Sequence, residues 1–314
     1  MPTLRADLAD PTTLAALGDL EIVARWVVDG FLAGLHRSPR RGFSAEFAEH
    51  RTYQPGDDLR YLDWRIAARA DRWVVKQFEE ETNLRAALVL DVSRSMDWTG
   101  APARDRGRPA RLTKLAYAQR LCAALALLLL RQRDAVGAVL VDDVVRDAVP
   151  PRANRDQWRR LLTALAAADE ERRPAAPGGS APAVGIAHAA RLVPRAGLIV
   201  LISDLLTDVT PVRDALAAAR AAGHDVAVVQ VLDPAERDFD LAVADGRFED
   251  PETGESVNAT VATVRDAYQC AMNQALATWR DVCRQLGVRY ALATTDAPFG
   301  PPLRAAFAVR ETLA

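Results

Sequence analysis

Five oxygen-bearing side chains stand at the ends of two apolar runs or in a glycine-marked loop between them. Asp91, Ser93 and Ser95 follow the run AALVLD in a D-x-S-x-S pattern, and Asp204 ends the run GLIVLISD. Ser180 belongs to the stretch PGGSAP, which precedes a predicted helix. Carboxylates and hydroxyls are hard oxygen ligands, so this set predicts a site for Mg²⁺ or Mn²⁺ rather than for zinc or copper.

The elements that must position these side chains alternate regularly after about residue 85. Short runs rich in Val, Ile and Leu are separated by helical stretches, which is typical of a mainly parallel sheet covered by helices on both faces. In such doubly wound, Rossmann-type α/β folds a ligand binds beyond the carboxyl ends of the strands. We therefore expect the five side chains to share one edge of the sheet.

The predicted elements extend this α/β pattern over most of the chain. Helices are predicted over residues 20–35, 112–132, 155–169, 183–193, 210–223, 259–286 and 301–312. Strands are predicted over residues 72–79, 86–91, 135–142, 144–149, 197–204, 224–233 and 287–295, with a hairpin over 247–257. Thr210 is the predicted N-cap of its helix, and Gly223 its end. The expected organisation is an N-terminal extension, residues 1–85, followed by an α/β domain, residues 86–314.

Composition and charge exclude several classes of function. The net charge is −2 and the pI is near 6.1, so no basic field attracts nucleic acid. None of the three cysteines forms a C-x-x-C pair, which argues against a disulfide framework or a zinc site. The amino-terminal stretch lacks signal-peptide character, and the apolar run 121–130 is shorter than the roughly 20 residues that span a bilayer. We therefore expect a cytoplasmic protein without membrane insertion.

Residues 86–295 resemble a von Willebrand factor A-type domain, and the five side chains fall on its metal-ion-dependent adhesion site: Asp91, Ser93, Ser95, Ser180 and Asp204. The resemblance implies that the hydroxyls bind Mg²⁺ directly and that the two aspartates act largely through water. It also implies that a partner's carboxylate fills an open position on the cation. Ser180 stands where Thr is usual, and its less restrained rotamer implies weaker metal binding.

The segment before residue 85 carries a second resemblance. The stretches RTYQPGDDLRYLDWRIAAR (51–69) and VKQFEEET (75–82), followed by the D-x-S-x-S run, resemble the bacterial domain of unknown function family 58. Members of that family are typically companions of MoxR-type AAA+ ATPases, in systems associated with chaperoning or metal insertion. The resemblance therefore implies a MoxR-type ATPase as the protein partner.

Charged and aromatic side chains crowd the segment 51–69, and two interpretations of it remain open. In the first, arginines pair with aspartates and dock the extension on the domain, with Tyr53 and Trp64 as packing anchors. The arginines are Arg51, Arg60, Arg65 and Arg69, and the aspartates are Asp57, Asp58 and Asp63. In the second, a partner-binding surface is formed by Arg51, Tyr53, Asp57, Asp58, Arg60, Asp63 and Trp64. The dense pairing of opposite charges favours docking.

We therefore expect a non-enzymatic, Mg²⁺-dependent module that binds an Asp or Glu of a protein partner. One alternative is a metal-free scaffold whose hydroxyls only cap helices. Another is a Mg²⁺-dependent phosphohydrolase that forms an aspartyl-phosphate on Asp91. Against the enzyme, Ser93 occupies the place of the second acidic residue that haloacid dehalogenase-type enzymes use, and neither Lys76 nor Lys114 is predicted near a strand end.

Overall fold

Helices and strands alternate along the computed structural model, which describes residues 20–35, 46–52, 66, 69, 73–79, 84–100, 112–170, 180–241, 243–250 and 253–307. The strands are β1 (Glu46–Thr52), β2 (Val74–Glu79), β3 (Arg85–Asp91), β4 (Ala135–Val141), β5 (Val145–Arg152), β6 (Leu198–Ser203), β7 (Asp225–Leu232), β8 (Asp245–Glu249), β9 (Ser256–Thr260) and β10 (Arg289–Thr294). The helices are α1 (Leu20–Leu35), α2 (Lys114–Arg131), α3 (Gln157–Glu170), α4 (Pro182–Leu192), α5 (Val209–Ala221), α6 (Pro234–Asp238), α7 (Val261–Gln285) and α8 (Gly300–Phe307). The predicted elements are confirmed in type, whereas β1 and α6 were not predicted.

A six-stranded sheet in the order β10-β7-β6-β3-β4-β5 forms the centre of the protein. Its neighbouring strands are parallel, except that β5 runs antiparallel to β4. The chain passes from β3 to β4 on one side and later returns to β6 on the other side of β3. This architecture confirms the predicted doubly wound, mainly parallel sheet. Ligand sites in such sheets lie beyond the carboxyl ends of the strands where the order reverses, which here means the ends of β3 and β6.

The two faces of the sheet are covered by different helices, because successive side chains of a strand point to opposite sides. Leu88 and Leu90 of β3 belong to a buried cluster with residues of α1, α2, α3 and α8. Ala87 and Val89 belong to a second buried cluster with residues of α4, α5 and α7. Burial on both faces explains why β3 and β6 read as continuous apolar runs.

Helix α1, from the predicted N-terminal extension, packs on the α/β domain. Its residues Val23, Val27 and Val28 are buried in the same cluster as α2, and Arg131 Nη1 of α2 lies 2.5 Å from Asp29 Oδ1. The helix therefore adds to one layer of the domain, while the division at residue 85 remains a prediction. No helix in the described part of the chain is both long and apolar enough to cross a membrane.

Two smaller antiparallel pairs accompany the central sheet. Strand β1 pairs with β2, and β8 pairs with β9, which confirms the hairpin predicted over 247–257. The aromatic ring of Phe239, which follows α6, stacks on Phe248 of β8 and on Tyr268 of α7. These contacts hold the β8–β9 hairpin against the end of α6 and the first half of α7.

The predicted N-cap of α5 is wrong by two positions. The side chain of Asp208 accepts a hydrogen bond from the backbone N–H of Thr210 at 3.1 Å, so Asp208 is the cap and Thr210 lies inside the helix. Both residue types cap helices well, and here the helix starts early enough to use the first of them. The predicted end is confirmed, since Gly223 follows the helix with a positive φ of 86°.

Candidate metal-binding site

Asp91, the last residue of β3, organises the polar side chains at the strand ends. Its buried carboxylate accepts three hydrogen bonds. The backbone N–H of Ser93 donates to Oδ1 at 3.0 Å. The hydroxyls of Ser180 and Ser203 both donate to Oδ2, at 2.8 Å and 2.6 Å. The end of β3, the start of α4 and the end of β6 therefore meet at one carboxylate.

Ser93 and Ser95 present their hydroxyls side by side, with 3.2 Å between the two Oγ atoms. Ser93 directly precedes the short 3₁₀ helix Arg94–Asp97 and Ser95 lies in it, and both residues are buried. Ser93 occupies the N-cap position of that helix, but its side chain makes no capping hydrogen bond. Since the Ser180 hydroxyl is directed to Asp91, helix capping does not account for Ser93 or Ser180.

Burial, and next the negative charge of Asp204, raise the pKa of Asp91 to about 6, although hydrogen bonds from Ser203 and Ser93 oppose the shift. The protein alone therefore holds this carboxylate against a substantial desolvation cost. A cation bound nearby would favour the charged form and offset that cost.

Asp204 follows β6 directly and is fully buried. Its Oδ1 accepts a hydrogen bond from the backbone N–H of Leu206 at 3.2 Å, and its Oδ2 accepts one from Lys114 Nζ at 2.9 Å. The next residue, Leu205, has a positive φ of 57°, an uncommon conformation for a side chain of this size. Gln230 Nε2 donates to the Asp204 carbonyl oxygen at 2.8 Å. Asp204 is thus held on its backbone and on both carboxylate oxygens.

Lys114 corrects the expectation that no lysine lies near a strand end. Besides Asp204, its ammonium contacts both carboxylate oxygens of Glu236, each at 2.9 Å, and the side chain is only 1% exposed. Burial lowers the pKa of Lys114, but the charges of Asp204 and Glu236 outweigh burial and raise it overall. Lys114 therefore carries a buried positive charge beside the site.

Sequence reasoning missed three side chains at this edge: Ser203, Lys114 and Glu236. Ser203 had a usable signal, because it stands next to Asp204 at the end of a buried strand. Lys114 is the first residue of α2, and the first turn of a crossover helix lies near the carboxyl ends of the strands. Glu236 had no comparable signal, since it belongs to the five-residue helix α6 that was not predicted.

The residue types at the site fit a hard cation. The hydroxyls of Ser93 and Ser180 contact the Asp91 carboxylate and that of Ser95 lies beside Ser93, while Asp204 acts on the group through its charge and is turned toward Lys114. Within the described ranges no group of three or more His, Cys, Asp or Glu side chains is placed to hold a metal. An oxygen set dominated by hydroxyls suits Mg²⁺ or Mn²⁺ far better than zinc.

The segment 51–69 lies largely outside the described residues. Most of the predicted partner surface falls there: Tyr53, Asp57, Asp58, Arg60, Asp63 and Trp64, together with Arg65 and the side chain of Arg51. Arg69 is described and exposed. Both interpretations of the segment remain predictions.

Solved structures similar to this chain are distant ones. An aerotolerance-related membrane protein from Bacteroides fragilis has a TM-score of 0.48 at 16% identity, over 73% of this chain and 100% of that one. The conserved hypothetical protein BatB from Bacteroides thetaiotaomicron has a TM-score of 0.44 at 17% identity, over 73% and 96%. A von Willebrand factor type A structure from Catenulispora acidiphila has a TM-score of 0.31 at 14% identity, over 64% and 43%. The fold assignment rests on the strand order and helical layers described above.

Sequence comparison is more decisive. The family described as "Protein of unknown function DUF58" matches residues 49–278. Uncharacterized protein Rv1480 of Mycobacterium tuberculosis and uncharacterized protein Mb1516 of Mycobacterium bovis are each 34% identical over 254 residues, which is 80% of this chain and 74% of theirs. The second resemblance seen in the sequence is confirmed, and this chain belongs to the DUF58 family.

Proposed function

We propose that this protein is a non-enzymatic, Mg²⁺-dependent module that binds an acidic side chain of a protein partner. The observation that carries the proposal is that Ser93 and Ser180 both contact Asp91, with the Ser95 hydroxyl beside that of Ser93, at the edge where the strand order reverses. An α/β sheet places its ligand sites at this edge.

The hydrogen-bond directions support the proposed ligand roles. The Ser180 hydroxyl donates a hydrogen bond to Asp91, which leaves the lone pairs of the Ser180 oxygen available to a cation. Ser203 donates to the same carboxylate oxygen and also accepts the backbone N–H of Leu205, so it orients Asp91 rather than acting as a ligand. A bound Mg²⁺ would supply a Lewis-acidic position for the partner's carboxylate. Lys114 and Asp204 adjust the charge around it.

The proposed partner is a MoxR-type AAA+ ATPase, and the proposed location is the cytoplasm. The partner follows from the family resemblance carried by segments 51–69 and 75–82, and the location follows from the cysteine spacing, which fits a reducing compartment. A chaperone-like or complex-maturation role follows from the same resemblance. The acidic residue on the partner would then control whether the two proteins assemble.

The phosphohydrolase alternative gains one observation and keeps one obstacle. Lys114 lies at the site, which removes the objection that no lysine is near. Its ammonium is nevertheless buried and paired with two carboxylates, and Ser93 still occupies the place of the second acidic residue. Mg²⁺-dependent hydrolysis of p-nitrophenyl phosphate that is lost in Asp91→Asn would favour this alternative over the binding module.

The test is capture of partners from native lysate with tagged wild-type protein, in Mg²⁺ and in EDTA, read by mass spectrometry. Asp91→Asn tests the site, and Asp214→Asn, which changes an exposed carboxylate on α5, is the matched control. We expect an AAA+ ATPase with wild type and Asp214→Asn in Mg²⁺, and none with EDTA or with Asp91→Asn. Recovery of the same partner in EDTA and with Asp91→Asn would contradict a metal-dependent interface.

A further inference from the structure

Three segments next to the candidate metal site each carry an exposed aliphatic side chain. Val144 follows β4 and is 46% exposed, Val184 lies in the first turn of α4 and is 41% exposed, and Leu206 follows β6 and is 44% exposed. Seven large apolar side chains are exposed in the described part of the chain, and these three belong to the segments that follow β4, begin α4 and follow β6. We call Val144, Val184 and Leu206 the apolar collar.

Hydrogen bonds tie the three collar loops to one another. The backbone N–H of Ala181 donates to the Asp142 carbonyl at 2.6 Å, which joins the loop after β4 to the start of α4. Thr207 Oγ1 donates to the Ser180 carbonyl at 3.1 Å, which joins the start of α4 to the loop after β6. With Ser180 also bound to Asp91, the segments that carry the collar residues are tied to the same carboxylate.

The backbone positions of the collar residues follow from contacts near the strand ends. The N–H of Leu206 donates to Asp204 itself, at 3.2 Å. The N–H of Val144 donates to Asp142 Oδ1 at 3.1 Å, in the turn after the strand that pairs with Asp91. Helix α4 presses on the same strand ends, since a Cβ on Gly185, next to Val184, would stand 2.6 Å from Val89 Cγ1.

Single exposed aliphatic residues are common, but a group around a polar centre is the arrangement of a binding hot spot. Apolar side chains that close around a charged contact exclude water and strengthen that contact. The charged side chains of the β4–β5 turn are paired internally, because Arg146 contacts both Asp142 and Asp143 at 2.6 Å. The collar therefore offers a partner mainly aliphatic surface.

We propose that the apolar collar selects partner segments in which an Asp or Glu is flanked by aliphatic residues. The inference rests on the proposed function, because the acidic side chain is the one that a cation at the site would bind. Charge complementarity determines the centre of the segment, and the collar determines its neighbours. The occupant is a linear segment of another protein, and its aliphatic side chains are buried against Val144, Val184 and Leu206 on binding.

A phage library of random linear peptides with a fixed central Glu tests the proposal, alongside the same library with a central Gln. Both are selected on the full chain, in Mg²⁺ and in EDTA. The test variant combines Val144→Ser, Val184→Ser and Leu206→Ser. The matched control combines Val243→Ser and Val257→Ser, which remove exposed valines from the β8–β9 region. If the triple variant does not fold, Leu206→Ser alone replaces it.

We expect wild type and the control to enrich Leu, Ile, Val or Met beside the central Glu, in Mg²⁺ only. The triple variant should retain the Glu preference and lose the aliphatic one. In solution, Leu206→Ser should weaken binding of an enriched, labelled peptide about tenfold, while its Mn²⁺ affinity stays that of wild type.

Other outcomes separate this inference from the function on which it rests. If Mg²⁺-dependent binding favours the Glu library over the Gln library but selects no aliphatic neighbours, the collar is overturned and the proposed function stands. If aliphatic peptides are enriched equally from the Glu and Gln libraries, and equally in Mg²⁺ and EDTA, both the collar inference and the proposed function are overturned. No enrichment of any peptide on wild type would overturn the collar as a surface for linear segments, and the lysate capture would still decide the proposed function.

Discussion

Lys114 Nζ lies 2.9 Å from Asp204 Oδ2, so an ion pair at the candidate metal site connects two residues that are 90 positions apart in the chain. Both side chains are buried, so their opposite charges offset part of the cost of removing each from water. The same ammonium contacts Glu236, which connects the site to helix α6. One lysine side chain therefore links the ends of β6 and β7 and sets the charge beside the proposed cation.

Lys114→Met is expected to lower the free energy of unfolding by about 3–5 kcal/mol, because Asp204 and Glu236 would remain buried without a counter-charge. Arg131→Met is the control, since it removes an exposed ion pair with Asp29 and should cost less than about 1 kcal/mol. Urea denaturation in EDTA measures both. Equal losses in the two variants would refute the structural role assigned to Lys114.

The raised pKa of Asp91 predicts a pH dependence of stability in EDTA. Its pKa in the folded protein, about 6, exceeds the ordinary value of 3.8, so the native state keeps a proton that the unfolded chain loses. The contribution to stability is present below pH 3.8 and is lost as pH rises through about 6. The shift corresponds to about 3 kcal/mol, at about 1.4 kcal/mol per pH unit.

Asp91→Asn tests this prediction because its side chain stays neutral at every pH. Relative to wild type, the variant should gain stability between pH 4 and pH 7 in EDTA. Exposed Asp214→Asn should follow the wild-type curve. Denaturation midpoints across this range give the comparison, and parallel curves for Asp91→Asn and wild type would show that Asp91 does not titrate as described.

Helix α5 provides a test of capping. Asp208→Ala should cost about 1 kcal/mol, because it removes the acceptor for the Thr210 backbone N–H. Thr210→Ala should cost much less, since the Thr210 side chain is not the cap. Chemical denaturation of the pair decides between the two residues, and a larger loss for Thr210→Ala would restore the cap predicted from sequence.

The success and failure of sequence reasoning follow from how local each signal is. Asp91 and Asp204 were predictable because each ends a continuous apolar run, and parallel strands bring such ends to one edge. Capping of α5 was ambiguous because Asp208 and Thr210 are both good caps. Lys114 and Glu236 were missed because their meeting depends on the long connection after β3 and on a short helix after β7, neither of which has a periodic pattern.

Gly185 is expected to be intolerant of a side chain, because α4 lies directly on the sheet there. A Cβ would stand 2.6 Å from Val89 Cγ1 and 2.8 Å from Val141 Cγ1. Gly185→Ala should cost about 1–3 kcal/mol and displace the start of α4, which follows Ser180 directly in the chain. At Gly300 the nearest atoms are 3.8 Å away, on the Arg304 side chain, so Gly300→Ala should be tolerated. Similar melting temperatures for the two variants would contradict the close packing of α4.

Ser180 allows the ligand role of a hydroxyl to be separated from its role in the fold. Ser180→Ala removes the oxygen, so the Mg²⁺-induced rise in melting temperature should nearly vanish. Ser180→Thr keeps the oxygen and restrains its rotamer, so that rise should equal or exceed the wild-type value at the same Mg²⁺ concentration. Thr163→Ala, which removes an exposed hydroxyl on α3, should behave as wild type. A full Mg²⁺ response in Ser180→Ala would exclude Ser180 as a ligand, because metal binding would then not depend on the oxygen that Asp91 orients.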